Sequence, residues 1–374
     1  MKKSGLVFSL LTAIIVIALV FTACSQPAPT TAPPTTAPPA VKAQKLVFNT
    51  HDMESTPQSQ ATIWYLDEIA RRSGGLVTFE KHWSGELAGS ADELSALRGG
   101  ALDLAAPPPA YTPNDTPLSQ IVNGTRVTNS TVVAMRKGYE LFWKSGEVSD
   151  LLTKEHVNNN IKLLMWLPME YSLITKQKVT KLSDLNGLKL RSVGVFEPKQ
   201  LSAYGAIPVS VLPAEWYESL SRGTIDGIPM VNESIISYKL YEVTKYKSFH
   251  AGAIMSNPVF INLNVFNKLP DKVKDILNDD TFRKDATEKF LEIFKQGTDA
   301  AMEQMKTKME FVDVDPKEQQ QYWDDWVKVT VKEFPGIVEK AGKGPEGIKV
   351  LDQWLKLVTG EDLKAWDAKL GITR

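Results

Sequence analysis

Twice along this chain, strand-forming and helix-forming patterns alternate, and both arrays close on the same local device. In the first, Lys45–Thr50 reads as a strand. Pro57–Ser73 carries Ile63, Leu66, Ile69 and Ala70 on one helical face and stops at Gly74. Leu76–Trp83 alternates as a strand again. Ser90-Ala-Asp-Glu93 has the form of a capping box, opening a helix that ends at Gly99-Gly100, and Ala101–Ala105 is a further strand. In the second array, strands at Leu188–Ser192, Ile207–Val211 and around Ile225 alternate with helices at Phe196–Tyr204 and Pro213–Arg222. Leu97-Arg-Gly-Gly-Ala-Leu-Asp103 aligns without a gap on Leu220-Ser-Arg-Gly-Thr-Ile-Asp226. In both, a helix stops at Gly, where a left-handed residue is needed, and an apolar residue and an Asp lead into a strand. The expectation is an α/β fold of two lobes of similar build, with βαβ units and a mostly parallel sheet.

The C-terminal third reads as helical. One long helix is expected from Pro270 to about Lys308, a short strand at Glu310–Val314, and helices at about Pro316–Glu333 and Gly347–Leu357. Trp323, Trp326, Trp354 and Trp366 fall here and are read as core or docking contacts. At 374 residues the chain is too long for one ordinary domain and suits two with a tail.

The tail has its own grammar. Lys2 and Lys3 precede an apolar run from Leu6 to Phe21, followed by Thr22-Ala23-Cys24. Residues 1–23 are expected to be a lipoprotein signal peptide, with Cys24, the only cysteine, as the lipid attachment site. The other reading is an uncleaved anchor, because about 19 apolar positions nearly span a bilayer. Both export the rest of the chain, to the periplasm or the outer face of the cytoplasmic membrane. Residues 24–43, rich in Pro, Thr and Ala with TAPP repeated, read as a semi-rigid spacer.

Forty-three Lys and Arg against 44 Asp and Glu leave no basic surplus for a nucleic-acid partner. His51, His82, His156 and His250 have no ligand spacing between them, so no metal site is read. No Gly-rich phosphate loop and no GxSxG is found, and no cofactor is expected. The acid pairs Asp279-Asp280 and Asp324-Asp325 read as solvated helix faces. In Gly187-Leu-Lys-Leu-Arg191, alternation sets Arg191 at the strand's C-terminal end, where open α/β sheets bind ligands. Its planar fork suits a carboxylate. From spacing alone it reads first as a solvated strand end paired with Asp184 or Glu197.

With these residues in view, the sequence resembles the solute-binding proteins of tripartite ATP-independent periplasmic (TRAP) transporters over about residues 45–335. The resemblance is carried by LSDLNGLKLRS from Leu182 and by YGAIPVSVLPAEWYESLSRGTIDG ending at Gly227, with support from SGGLVTFEKHWSGEL at 73–87 and INLNVFNKLPDKVKDIL at 261–277. It implies two lobes closing on a ligand, a long helix crossing both, and no enzymatic activity. By analogy lobe I is 44–168 with 256–296, and lobe II is 169–255 with 297–374. It also implies that Arg191 holds the substrate carboxylate, and that the partner is an integral-membrane permease. A sensor kinase reading the ligand-bound form is the alternative output. An exported hydrolase with acid pairs assembled in space is the third class.

The chain departs from sialic-acid-type members. Pro229 and Met230 stand where those carry a Glu-Asn pair, Asn232 lies nearby off register, and Tyr171 replaces a second basic residue. These exchanges suggest a less polar monocarboxylate, such as an aromatic or branched 2-oxo or hydroxy acid. Trp166, Tyr171, Phe196 and Trp216 are candidate walls that serve equally well as core. His51, after the first strand, is a candidate hydrogen-bond donor to ligand or a loop cap.

Overall fold

Each array read from the sequence builds one wing of a single sheet. The structure, a computed structural model, describes residues 43–124 and 130–374. The apolar run, Cys24 and the spacer up to residue 42 lie outside the described residues. Among the described residues no helix is long and apolar enough to cross a membrane.

Nine strands are described: β1 Gln44–Asn49, β2 Val77–His82, β3 Leu104–Ala105, β4 Ile161–Thr175, β5 Lys189–Ser192, β6 Ile207–Ser210, β7 Gly227–Val231, β8 Tyr246–Asn262 and β9 Glu310–Phe311. Their order is β2-β1-β3-β8-β4-β7-β5-β6, with β9 pairing β8. The wings β2-β1-β3 and β6-β5-β7 are internally parallel and have the same strand order. The expectation of a mostly parallel sheet fails at the centre. There β4 and β8 run antiparallel to each other, β4 antiparallel to β7 and β8 antiparallel to β3. These two long strands pass from one wing to the other.

The aligned heptapeptides do the same work in both wings. Gly100 and Gly223 take φ of 80° and 76°, a conformation that costs a side chain and suits Gly. The Asp103 carboxylate then accepts the Val47 amide at 2.8 Å, and the Asp226 carboxylate accepts the Lys189 amide at 2.9 Å. Each Asp thus ties its helix–strand turn to the central strand of its own wing.

The helix Pro57–Ser73 forms as read, with Thr56 capping the Ser59 amide and Gly74 in the left-handed region. The helix expected from Pro270 to Lys308 is two helices, Asp271–Asn278 and Asp280–Lys306. Asp279 breaks it by leaving helical backbone (φ −66°, ψ 116°) and accepting the Thr281 amide, a side-chain cap that competes with helix continuation. At 27 residues the second helix still crosses both halves. Its start packs Phe282 and Phe290 on Tyr65, while its end puts Ala301 and Met305 in the cluster around Trp216 and Ile228.

The capping box at Ser90–Glu93 is also corrected. Asp92 is the N-cap without a side-chain cap bond, and the Glu93 carboxylate turns inward to His51. The helix Pro316–Lys340 runs past the expected end at Glu333, and Gly344–Thr359 follows. Trp326 and Trp354 are buried in the core. Trp323 donates to the His250 carbonyl at 2.9 Å and Trp366 to Thr359 at 3.1 Å, as docking contacts do.

Candidate functional site

On β5 the alternation buries Leu190 in the core and sends Arg191 out of the strand's carboxyl end. That end does not meet solvent: Arg191 is only 2% exposed. Its Nη2 donates to the Tyr111 hydroxyl at 3.1 Å, and its guanidinium lies 5.2 Å from the Trp216 ring centroid. Its Nε has no hydrogen-bond partner. The partners read from spacing are engaged elsewhere. Asp184 accepts the Thr180 and Lys181 amides, and Glu197 accepts the Val193 amide. Among the described residues no carboxylate forms an ion pair with Arg191.

Tyr111 reaches Arg191 from the other wing. It closes the short turn Pro109–Tyr111 that follows β3, so the two carboxyl-end loops meet across the sheet. Burial pushes its phenol up, which keeps the hydroxyl neutral and able to accept from the guanidinium. Around this contact lies a cavity of about 30 Å³ lined by Arg191, Tyr171, Trp216, Met230 and His51. Asp52, Tyr111, Met169 and Asn257 also line it. A wider groove of about 430 Å³ adjoins it at His51, between the Ser84–Asp92 segment and Leu212, Tyr217 and Tyr238.

His51 is held from behind. Its Nδ1 sits 2.9 Å from Glu93 Oε2, and Asn49 Nδ2 donates to the other Glu93 oxygen at 3.0 Å. Burial alone would push the imidazole pKa down. Asp52 and Glu93 together outweigh that and raise it to about 9, with Arg191 opposing. Burial pushes the Glu93 carboxyl up. The cavity therefore presents two cationic side chains, Arg191 and His51, through the neutral range. Asp52 is fixed by Asn257 Nδ2 at 2.5 Å.

Three expected site residues are elsewhere. Trp166 stacks on Phe142 (centroids 4.2 Å apart) and meets Phe260 edge-on, in the core. Phe196 is 1% exposed and packs on Phe334. Asn232 accepts from the Ser172 hydroxyl at 2.8 Å, because at the start of helix Asn232–Ser237 its side chain faces β4. Conversely, the sequence reading missed Tyr111, Asp52 and Asn257. Tyr111 had a usable signal, since it lies in the loop after the carboxyl end of β3. Asn257 had none, since it lies inside a long strand. Among the described residues no group of three or more His, Cys, Asp or Glu is placed to hold a metal.

A family model for bacterial extracellular solute-binding proteins, family 7 (DctP), matches residues 48–335. A solute-binding protein of Albidiferax ferrireducens is 28% identical over 214 residues, covering 56% of this chain and 62% of that protein. The chain thus spans less than two thirds of this curated relative. A TRAP periplasmic solute-binding protein of Desulfovibrio salexigens with bound orotic acid superposes with a TM-score of 0.73 at 20% identity, over 84% of this chain and 99% of that one. A TRAP solute-binding protein of Rhodoferax ferrireducens with copurified benzoate gives 0.71 at 21% identity, over 87% and 99%. These likenesses show the two-lobe fold with its long crossing helix. The family match covers well over half of the sequence, and the chain belongs to the bacterial extracellular solute-binding proteins of family 7.

Proposed function

We propose that this protein is an extracytoplasmic receptor that captures a small, less polar monocarboxylate between its lobes and delivers it to the permease subunits of a TRAP transporter. One observation carries the reading. Arg191 is almost fully buried, forms no ion pair among the described residues, and its Nε lacks a partner. An uncompensated buried cation costs several kcal/mol, on the order of what a well-placed carboxylate restores. Closure is then favourable mainly with ligand present. Trp216, Tyr171, Met169 and Met230 supply apolar walls, in keeping with an acid of low polarity. The benzoate and orotic acid of the similar structures fit this class.

The lobe boundaries follow the same reading: 44–168 with 256–296, and 169–255 with 297–374. The chain would cross at 168/169, 255/256 and 296/297, the last within the long helix. Support comes from the β4–β8 ladder, which slips between Leu167 and Pro168 where the partner moves from Asn257 to Met255. A proline cannot donate to the ladder there, which favours a bend.

A thermal-shift panel of aromatic and branched monocarboxylates, sugar acids and C4-dicarboxylates tests the substrate class. At 100 times its Kd, a true ligand adds about 2.7 kcal/mol of stability. Shifts from monocarboxylates are expected; a panel in which only sugar acids bind overturns this class. Anchoring through Cys24 belongs to the same proposal. In cells fed a clickable fatty acid, the wild-type protein should be labelled and sediment with membranes. Cys24→Ser should be neither labelled nor acylated. Equal labelling of both proteins refutes the anchor.

A further inference from the structure

The receptor reading uses Arg191 and leaves one face of His51 unexplained. An imidazole has two nitrogens on different edges, and a bond at one fixes where the other points. Here Nδ1 is committed to Glu93, which is itself fully buried and tied to Asn49 and, through it, to β1. Nε2 makes no hydrogen bond among the described residues; Asp52 Oδ1 lies 3.9 Å away, too far for one. Asp52 is occupied instead by Asn257 and Gln58. His51 nevertheless lines both the inner cavity and the outer groove. A buried imidazole anchored on one edge and open on the other is a preset donor.

Tyr111 connects this donor to the anchor. Its hydroxyl accepts from Arg191, and its ring packs edge-on against His51 with centroids 5.5 Å apart. A carboxylate paired with Arg191 therefore extends its neighbouring atoms along Tyr111 toward His51. The charged groups facing His51 are Asp52 on its own loop, Glu93 from the helix Glu93–Gly99, Asp92 on the groove wall and Arg191 from β5. Asp52, as a carboxylate, can only accept hydrogen bonds, so it does not serve a carbonyl oxygen. His51 can.

Resting on the receptor reading, we propose that His51 Nε2–H is a second ligand donor, held by Glu93 as a positioning residue. It selects carboxylates with an acceptor oxygen on the adjacent carbon over acids lacking one. The substrate class narrows accordingly to 2-oxo and 2-hydroxy acids. With the imidazole protonated up to about pH 9, the donor persists through the neutral range.

The test uses two probes of nearly equal size, phenylpyruvate and 3-phenylpropanoate, with calorimetry on the intact protein from pH 6 to 10. Wild type is expected to prefer phenylpyruvate by roughly 10- to 100-fold, the usual effect of one charge-assisted hydrogen bond. His51→Ala should erase the preference while keeping Arg191-dependent binding of both acids. Because that variant leaves buried Glu93 Oε2 without its His51 partner and can misfold, His51→Asn is the second variant. Asn can still donate to Glu93, near the Nδ1 position, but has nothing at Nε2.

The pH profile separates positioning from mere structure. In wild type the preference should fade as the pH rises through about 9, where the Nε2 proton leaves. In Glu93→Gln, a raising influence on the imidazole is lost, so the fade should move to lower pH. If both acids bind through Arg191 and the preference is unchanged in His51→Asn, this assignment is wrong and the receptor reading stands. A fade unmoved by Glu93→Gln removes the positioning role. If neither acid binds, both readings fall.

Discussion

Arg191→Ala is expected to weaken carboxylate binding by about 30- to 4000-fold, the span of roughly 2–5 kcal/mol seen when one partner of a buried charge pair is removed. Among the described residues lining the inner cavity, Arg191 is the only arginine or lysine, and its fork suits two parallel bonds to a carboxylate. Arg191→Lys should recover little, because a lysine ammonium is a point donor without that fork. The ligand-free protein should behave in the opposite sense. Arg191 is buried beside Trp216 and forms no ion pair among the described residues, so Arg191→Met removes an unpaired charge and keeps most of the apolar stem. Its melting temperature without ligand should therefore match or exceed that of wild type, while the ligand-induced shift disappears. A melting temperature well below wild type would mean that Arg191 is a structural cation, and the cavity would lose its anchor. An equal ligand shift in both proteins would mean the same.

Trp166→Ala should do the reverse: lower stability by about 3–5 kcal/mol and leave ligand affinity nearly unchanged in the folded fraction. The ring is 1% exposed, stacks on Phe142 at 4.2 Å with planes 16° apart, and meets Phe260 edge-on. Deleting it opens a cavity among side chains of a close-packed interior that relaxes only partly. Trp166→Phe is the control. The indole Nε1 is buried with no hydrogen-bond partner, so phenylalanine loses volume yet removes an unsatisfied donor. Its cost should be far smaller than that of alanine. Denaturant melts beside calorimetric titrations separate the two quantities. A large affinity loss with intact stability would return Trp166 to the pocket wall.

These two residues show what could be read in advance. Arg191 is the third residue of a short strand, and its place at the strand's carboxyl end is legible locally, although spacing alone read it as a solvated end. Trp166 lies in β4, where all but Lys162 and Glu170 are buried. A strand covered on both faces has no alternation to report, so period cannot say which side a ring takes. β8 hid for the same reason. Without these strands the sheet was expected to be mostly parallel, and its antiparallel centre went unread. The long C-terminal helix erred differently: Asp279 looked like one half of a solvated pair, and only its backbone turn showed a cap.

The heptapeptides at Leu97 and Leu220 carried more than their helix stops. Their aspartates bind equivalent strands in the two wings, so a one-dimensional match reported a real repetition of structure. Helix stops, strand ends and the duplication of the βα arrays are set by backbone conformation and by periods of two and 3.6, which operate over a few residues. The site depends on pairs far apart in the chain: Tyr111 with Arg191, His51 with Glu93, Asn257 with Asp52. Sequence alone determined the βα arrays, the helix stops and the strand end that carries Arg191. Only the tertiary structure decided which distant loops met there and which aromatic rings went to the core, because burial of whole faces sets those contacts and no local period encodes it.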